Sequence, residues 1–445
     1  MDKLFSKKIG VISLGCDKNR VDTEKMLAIL STKHTLTSDI DNAEILIVNT
    51  CAFLESARKE AIEEILMAIN SKESGTEKVI VTGCLPQLFV EQIKDELIEV
   101  DAFLGVSDYA EILEVIDKIY SGERVIKVGT PRGECVTNRV LTTNGYAYLK
   151  IADGCSNHCT YCLIPSIRGK YRSVEMTDLL EEAKALGDVG ELILVAQDTA
   201  KYGLDLKEKA SLTTLIKNIS KLENIKAIRL LYCYPENITD ELIEEMANNP
   251  KVIKYIDMPL QHADDKILKL MNRKGTADGY LRLIDKLRKK IKGIAIRSTF
   301  ITGFPRETEQ AFNNLTEFLL KAKLFNAGFF KYSREEGTPA YKLDGQIPVK
   351  TKNQRLRKLY STQKKVVKEN YKSLIGKTIK VVAEGFDENQ LVYFGRAYFN
   401  APDVDGKVYF FSDDEIDYGS EYDIKIIKST GYDLYGERQW IYQTN

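Results

Sequence analysis

Three apolar runs of β type end in the same way. "VISLGC" closes on Cys16, "ILIVNTC" on Cys51 and "VIVTGC" on Cys84, at spacings of 35 and 33 residues. Between them, "VDTEKMLAILST" and "ESARKEAIEEILMAIN" carry apolar residues three and four positions apart, the period of an amphipathic helix. That spacing suits strand–helix–strand units. With "DAFLGV" as a further strand, the chain to about residue 130 is expected to form a parallel sheet with helical crossovers. Each cysteine then sits just past the C-terminal end of a strand. Neighbouring strands lie about 4.8 Å apart, and open α/β sheets bind ligands at this edge. Three thiols could therefore converge on one ligand. The plainer alternative is three separately buried cysteines, against which their recurrence at equivalent places argues.

A second triplet is packed into "DGCSNHCTYCLIPSIRG", where Cys155, Cys159 and Cys162 fall within eight positions. Thiolates are the soft ligands that iron–sulfur clusters and zinc prefer. A closed structural zinc site takes four ligands. Here only His158 is near, inside the motif and facing away if the loop wraps a cluster. Three cysteines on a four-iron cluster leave one iron open. Zinc completed by a distant residue is the alternative. The motif follows the strand-like "YLKIADG", first of six such runs between residues 145 and 345, the others being "ELILVAQ", "AIRLLYC", "YIDMPL", "IAIRSTFI" and "AGFFKYS". Helical stretches separate them, so a whole or partial α/β barrel is expected, with chemistry at the C-terminal strand ends.

Three segments follow: an α/β domain over 1–130, a barrel with a basic helix over 141–372, and a small β domain over 373–445. "GTPRGECVTNRVLTTNG" (129–145) reads as a linker. The basic helix, about 351–374, has Leu356, Leu359, Tyr360, Val367 and Tyr371 on one face. After it come "KTIKVVAEG", "LVYFGRAYF", "KVYFF", "YDIKIIKS" and "LYGERQWIY", the pattern of a small antiparallel barrel. The composition, 44% hydrophobic and 29% charged, is that of a soluble globular protein. No apolar run is long enough to span a bilayer, and the N-terminus reads as a first strand, not a signal peptide. A reducing, cytoplasmic location is expected, where cysteine clusters more often bind metal than pair. Net charge is −1, yet residues 342–372 carry ten Lys/Arg against Asp344 and Glu369, and residues 376–445 carry seven against thirteen acids.

Other candidates weigh less. Cys135 in the linker and Cys233 in an apolar strand lack matching partners. His34 suits packing, and His262 suits a site or packing equally. Met258 and Met271 suit the core. The turn "GFPRETE" (303–309) could offer backbone amides to a ligand.

Cys155, Cys159 and Cys162, with Tyr161 before the last, resemble the radical S-adenosylmethionine (SAM) signature. Together with the three dispersed cysteines and a C-terminal β domain of the TRAM type, the chain resembles the radical SAM methylthiotransferases from about residue 9 to 441. The resemblance implies two 4Fe–4S clusters and SAM. One cluster, on Cys155, Cys159 and Cys162, would cleave SAM to a radical that takes hydrogen from an unactivated carbon. The other, on Cys16, Cys51 and Cys84, would supply the sulfur, already methylated. Tyr161 would pack by the adenine and Gln197 would face SAM. "SLGCDKNRVDTE", "NTCAFLESARKEAI", "VTGCLPQ" and "GRAYFNAPDVDG" look like the branch that modifies an aspartate β-carbon in a small-subunit ribosomal protein. Asp17 stands where proline is usual there, and Arg306 where glycine is usual.

The implied partners are that protein or the assembled small subunit, and an electron donor such as flavodoxin or ferredoxin. The alternative is a tRNA adenosine methylthiotransferase, and the outsider a non-catalytic zinc-binding ribosome or RNA adaptor. An acidic TRAM domain repels a phosphate backbone within about 8 Å, whereas tRNA binding asks for a basic one. The charge thus favours a ribosomal protein over tRNA.

Overall fold

The computed structural model describes residues 6–133, 136–208 and 210–439. Its first sheet holds β1 (Lys8–Ser13), β2 (Thr35–Leu36), β3 (Ile45–Thr50), β4 (Lys78–Gly83), β5 (Ala102–Leu104) and β6 (Val125–Lys127). All are parallel, in the order β2-β1-β3-β4-β5-β6. Every residue of β3 is buried, as its unbroken apolar run requires in a sheet covered on both faces. The edge strands β2 and β6, two and three residues long, carry no readable pattern in the sequence.

A short ribbon and a second sheet follow. The ribbon pairs β8 (Ala152–Asp153) with β9 (Arg172–Ser173), directly after β7 (Tyr146–Lys150). The sheet joins β7 to β10 (Val189–Val195), β11 (Ile225–Leu230), β12 (Val252–Asp257), β13 (Ala295–Thr302) and β14 (Asn326–Lys331), in the order β14-β13-β12-β11-β10-β7. It stays open, so of the two barrel readings the partial one applies. Leu149, Leu192, Leu194, Ile228, Ile256 and Ile296 pack under the helices. The alternate positions Tyr148, Ile193, Val195, Tyr255 and Ala295 face the other way, as the strand period of two dictates.

That other face is covered by the C-terminal domain. β15 (Thr378–Asp387), β16 (Val392–Arg396), β17 (Val408–Phe411), β18 (Glu421–Thr430) and β19 (Asp433–Arg438) close a barrel in the order β15-β16-β17-β19-β18. It is not wholly antiparallel, because β17 and β19 run parallel. The last expected run ends as a strand at Arg438, and its residues from 440 on lie outside the described residues. Phe399 and Ala401 enter the same apolar cluster as Tyr148 and Tyr255. Beside it Glu191 is held between Arg229 and Arg396. Arg297 bridges Asp257 at 2.9 Å and Asp405 at 3.1 Å. The segment 396–405 therefore plugs the half-barrel and fixes the small domain against it.

Two expectations are corrected here. The helix Val349–Lys372 buries Leu359 in the half-barrel core and Val367 and Tyr371 in the core shared with the small domain. Tyr360, expected on that face, is 42% exposed, although its hydroxyl donates to the Phe329 carbonyl. The segment read as a linker is pinned: the Arg139 side chain is fully buried and pairs with Glu24 and, at 2.9 Å, Glu182. Thr142 N–H donates to Glu24. Cys135 lies outside the described residues.

Candidate functional site

Because β1, β3 and β4 are neighbours, Cys16, Cys51 and Cys84 come to one edge of one sheet. Cys16 caps the helix Asp17–Leu30, Cys51 follows β3, and Cys84 opens the helix Cys84–Ile93. Gly15 sits at φ +90°, and a Cβ there would fall 2.7 Å from the Cβ of Cys51. Only glycine lets the first loop pass so close to the second cysteine. Asn19 ties the three loop ends together: its amide donates to the carbonyls of Leu14 (3.1 Å) and Thr50 (2.9 Å), and its oxygen lies 3.7 Å from the Cys84 thiol. Burial pushes the Cys84 thiol up to about 12, and pushes Cys51 up, with the neighbouring thiols adding to both shifts. Cys16 is exposed.

The second triplet hangs on the ribbon. Cys155 N–H donates to the Gly169 carbonyl at 3.0 Å, and Gly154, at φ +74°, leaves no room for a Cβ, which would meet the Lys170 carbonyl oxygen at 2.2 Å. Thr160 donates through both its N–H and hydroxyl to Met271 and Leu270, and Asn272 donates to the His158 carbonyl. His158 takes φ +50°, which turns the chain inside the motif. All three cysteines are partly buried. Burial raises Cys155 and pushes Cys162 up to about 12, with Cys159 adding to each shift.

Arg168 lies between the two triplets. Its guanidinium, 2% exposed, donates to Asp153 at 2.9 Å on one side and to Asn19 (2.6 Å) and Asp22 (2.9 Å) on the other. Lys150 joins the same carboxylates, Asp22 and Asp153. Burial alone would raise the Asp153 carboxyl, but Arg168 and Lys150 hold it well below the usual range. Neither Arg168 nor Asn19 stood out in the sequence. Their signal is only that each follows a cysteine motif within a turn or two.

Gln197 lies two residues past β10, and its amide donates to Asp153 at 3.1 Å while its carbonyl oxygen is buried with no hydrogen-bond partner among the described residues. Tyr161 packs edge-on against Phe304, ring centroids 6.5 Å apart. Several secondary candidates resolve differently. His262 is fully buried, accepts the Asp264 N–H at 3.0 Å and is pushed down to about 3 by burial, so it packs. His34 is likewise buried and accepts the Lys7 N–H. Cys233 is buried beyond the end of β11 rather than within it. The amides of the 303–309 turn are already used, since Gly303 and Phe304 donate to Glu307. Arg306 keeps φ +64° in that turn and donates its N–H to the Gly345 carbonyl at 2.9 Å. Asp17 pairs with Lys18 at 2.9 Å and accepts from the Tyr232 hydroxyl at 3.3 Å.

Comparison with known proteins agrees with this layout. Residues 149–319 match the radical SAM superfamily, 8–105 the uncharacterized protein family UPF0004, and 375–438 the TRAM domain. A protein of Acetivibrio thermocellus named "Ribosomal protein uS12 methylthiotransferase RimO" is 46% identical, over 97% of this chain and 98% of its own length. A relative of the same name from Thermoanaerobacter sp. is 45% identical over 97% of this chain and all of its own. This chain belongs to the RimO methylthiotransferase family. It is thus a radical SAM transferase, and neither zinc-adaptor chemistry nor the tRNA branch describes it.

In fold the RimO-family chain is similar to the radical SAM methyltransferase TsrM of Kitasatospora setae (TM-score 0.57, 14% identity, 76% of this chain and 77% of that one). The enzyme OxsB gives 0.52 at 11% identity, over 82% of this chain and 56% of that one. These likenesses concern architecture only. Among the described residues no group of three His, Cys, Asp or Glu side chains is drawn together as a one-ion site would be. Two sets of three soft donors, each partly open to solvent and neither with a fourth ligand in its motif, fit a wider cluster that leaves a position free. No helix of the described residues is long and apolar enough to cross a membrane.

Proposed function

We propose that this protein places a methylthio group on an aspartate of ribosomal protein uS12, with Cys155, Cys159 and Cys162 holding the cluster that serves SAM. Cys16, Cys51 and Cys84 hold a second cluster that serves as sulfur carrier. The observation that carries the reading is the pairing of two cysteine triplets, each at the C-terminal edge of its own parallel sheet, in a chain 46% identical end to end to a uS12 methylthiotransferase. An iron–sulfur cluster supplies the single electron needed to open SAM, chemistry that no acid–base pair can provide at neutral pH.

The chain's own residues do the rest. Gln197 keeps a buried carbonyl oxygen free for a donor on SAM, and Tyr161 with Phe304 offers an aromatic wall for its adenine. Arg168 and Lys150, each paired with both Asp22 and Asp153, tie the loop bases of the two triplets together. The high thiol values of Cys84 and Cys162 mean that loading releases protons, so assembly is favoured as pH rises.

The test is an anaerobic reaction of reconstituted protein with SAM and a strong reductant, given small ribosomal subunits or bulk tRNA from cells lacking the gene. Mass spectrometry is expected to find the methylthio group on uS12 and none on tRNA. Modified tRNA with unmodified uS12 would overturn the substrate while leaving the cluster chemistry in place. A cytoplasmic setting, a separate one-electron donor such as a flavodoxin or ferredoxin, and action on free uS12 or the assembled subunit belong to the same proposal.

A further inference from the structure

The helix Val349–Lys372 has two faces of opposite character. The buried one joins the half-barrel core to the small domain through Leu359, Val367 and Tyr371. On the other, Lys350, Arg357, Lys364, Lys368 and Lys372 follow one line, flanked by Lys358 and Lys365, and all seven are exposed. At 1.5 Å per residue the line is about 33 Å long.

What separates this stripe from an ordinary solvated face is its lack of counter-charge. Three lysines on or at the end of other helices find an acid three or four residues away, Lys59 with Glu55 at 2.9 Å, Lys94 with Glu91 at 2.6 Å and Lys118 with Glu114 at 2.7 Å, whereas others such as Lys266 and Lys289 stand alone among the described residues. None of the seven stripe cations has a carboxylate within ion-pair reach among the described residues, and the exposed face offers one acid, Glu369. Lys364, Lys368 and Lys372 follow one another at four-residue intervals, an arrangement of like charges that disfavours an isolated helix. The helix is instead held from its buried side. Lys352 donates to the Tyr332 carbonyl at 2.8 Å, and Arg355 to the Glu307 carboxylate at 3.1 Å.

Those two anchors also locate the stripe. Tyr332 and Glu307 lie just past the C-terminal ends of β14 and β13, the rim where the cysteine loop also opens. The stripe therefore runs from the rim of the candidate site down to the small domain. That domain, with seven Lys/Arg against thirteen acids over residues 376–445, sets an electrostatic boundary beyond it.

We propose that this stripe is a docking surface for an RNA backbone. Resting on the reading above, the RNA is a structured segment of small-subunit ribosomal RNA that lies beside the protein substrate. Seven exposed cations on one helix, none paired with a carboxylate among the described residues, match a row of phosphates, and Glu369 is the one acid on that face. The contact reads backbone, not sequence, and orients the half-barrel rim toward the protein embedded in that RNA.

The full-length protein is titrated with protein-free small-subunit ribosomal RNA over a series of potassium chloride concentrations, by filter binding. Wild type is expected to show log affinity falling linearly with log salt. The variant R357Q/K364Q/K368Q/K372Q is expected to bind about 10- to 100-fold more weakly at low salt, with a slope shallower by about 3 to 4. The control K59Q/K94Q/K118Q/K217Q, which removes as many charges from other helices, is expected to leave both unchanged. Unchanged binding in the stripe variant, or an equal loss in the control, overturns the proposal. Methylthiolation separates this outcome from failure of the functional reading. Free uS12 is expected to be modified equally by wild type and stripe variant, and intact subunits several-fold more slowly by the variant. A variant that loses free uS12 instead assigns the stripe to protein and also overturns it. Wild type that modifies neither substrate removes the functional reading, and the RNA titration still decides the surface.

Discussion

The two cysteine triplets reach similar arrangements by opposite routes. Cys155, Cys159 and Cys162 belong to one loop, and a ribbon of two residues per strand is enough to hold its base. Cys16, Cys51 and Cys84 span 69 positions and meet only because β1, β3 and β4 are adjacent in the sheet. A local site depends on a few backbone contacts. A dispersed one depends on the whole domain and on the fit of each loop against the next.

The largest expected effects split the two directly. Cys155→Ala is expected to abolish SAM cleavage, whereas Cys51→Ala keeps cleavage and loses methylthio transfer. Anaerobic assays of SAM fragments and of modified uS12 read both, and equal cleavage by the two variants would break the assigned division of labour. Gly154→Ala comes next. The added Cβ has no space against the Lys170 carbonyl, so loss of one cluster's iron and absorbance is expected with the other retained. Gly15→Ala, pressing on Cys51, is expected to show the converse pattern.

Arg168 tests whether the sites are joined. Replacing it with methionine leaves Lys150 as the one cation shared by the buried Asp22 and Asp153, and the cost is expected to approach the roughly 3–5 kcal/mol of breaking a buried pair. Lysine, which keeps the charge, is expected to recover part of that stability in chemical denaturation. A methionine variant as stable as wild type would show that the two domains do not depend on this contact.

The smallest effect concerns acid. Burial alone would raise Glu191, but Arg229 and Arg396 hold it down to about 2, below its ordinary 4.5. A lowered carboxyl contributes stability that is fully present above 4.5 and lost as pH falls toward 2. The difference is worth about 3 kcal/mol, and the Glu191→Gln variant is expected to lose this acid dependence of unfolding. Unchanged acid sensitivity in Glu191→Gln would remove Glu191 as its source.

The six cysteines could be read from the sequence because strand and helix periods place three of them at strand ends and a short motif gathers the others. Arg168 and Asn19 could not. One lies 149 residues from the other, and only the packing of the helix Asp17–Leu30 against β7 brings them to hydrogen-bonding distance. His262 was open to either role in the sequence, and only the packing decides it. Its place after a strand suited a site and packing equally, and the side chain is buried, where charge is disfavoured.

What the sequence determined by itself is therefore local: the strand and helix periods, the cysteines that close the strands, and the glycines that let those loops turn. Periodicity and turn chemistry act over a few residues, so a single chain displays them. The tertiary structure alone decided that the half-barrel stays open, that the segment 396–405 plugs it, and that a buried arginine stands between the two thiol sets. Those outcomes depend on which faces find each other across hundreds of residues, and the energies that select them are sums over contacts that no short stretch contains.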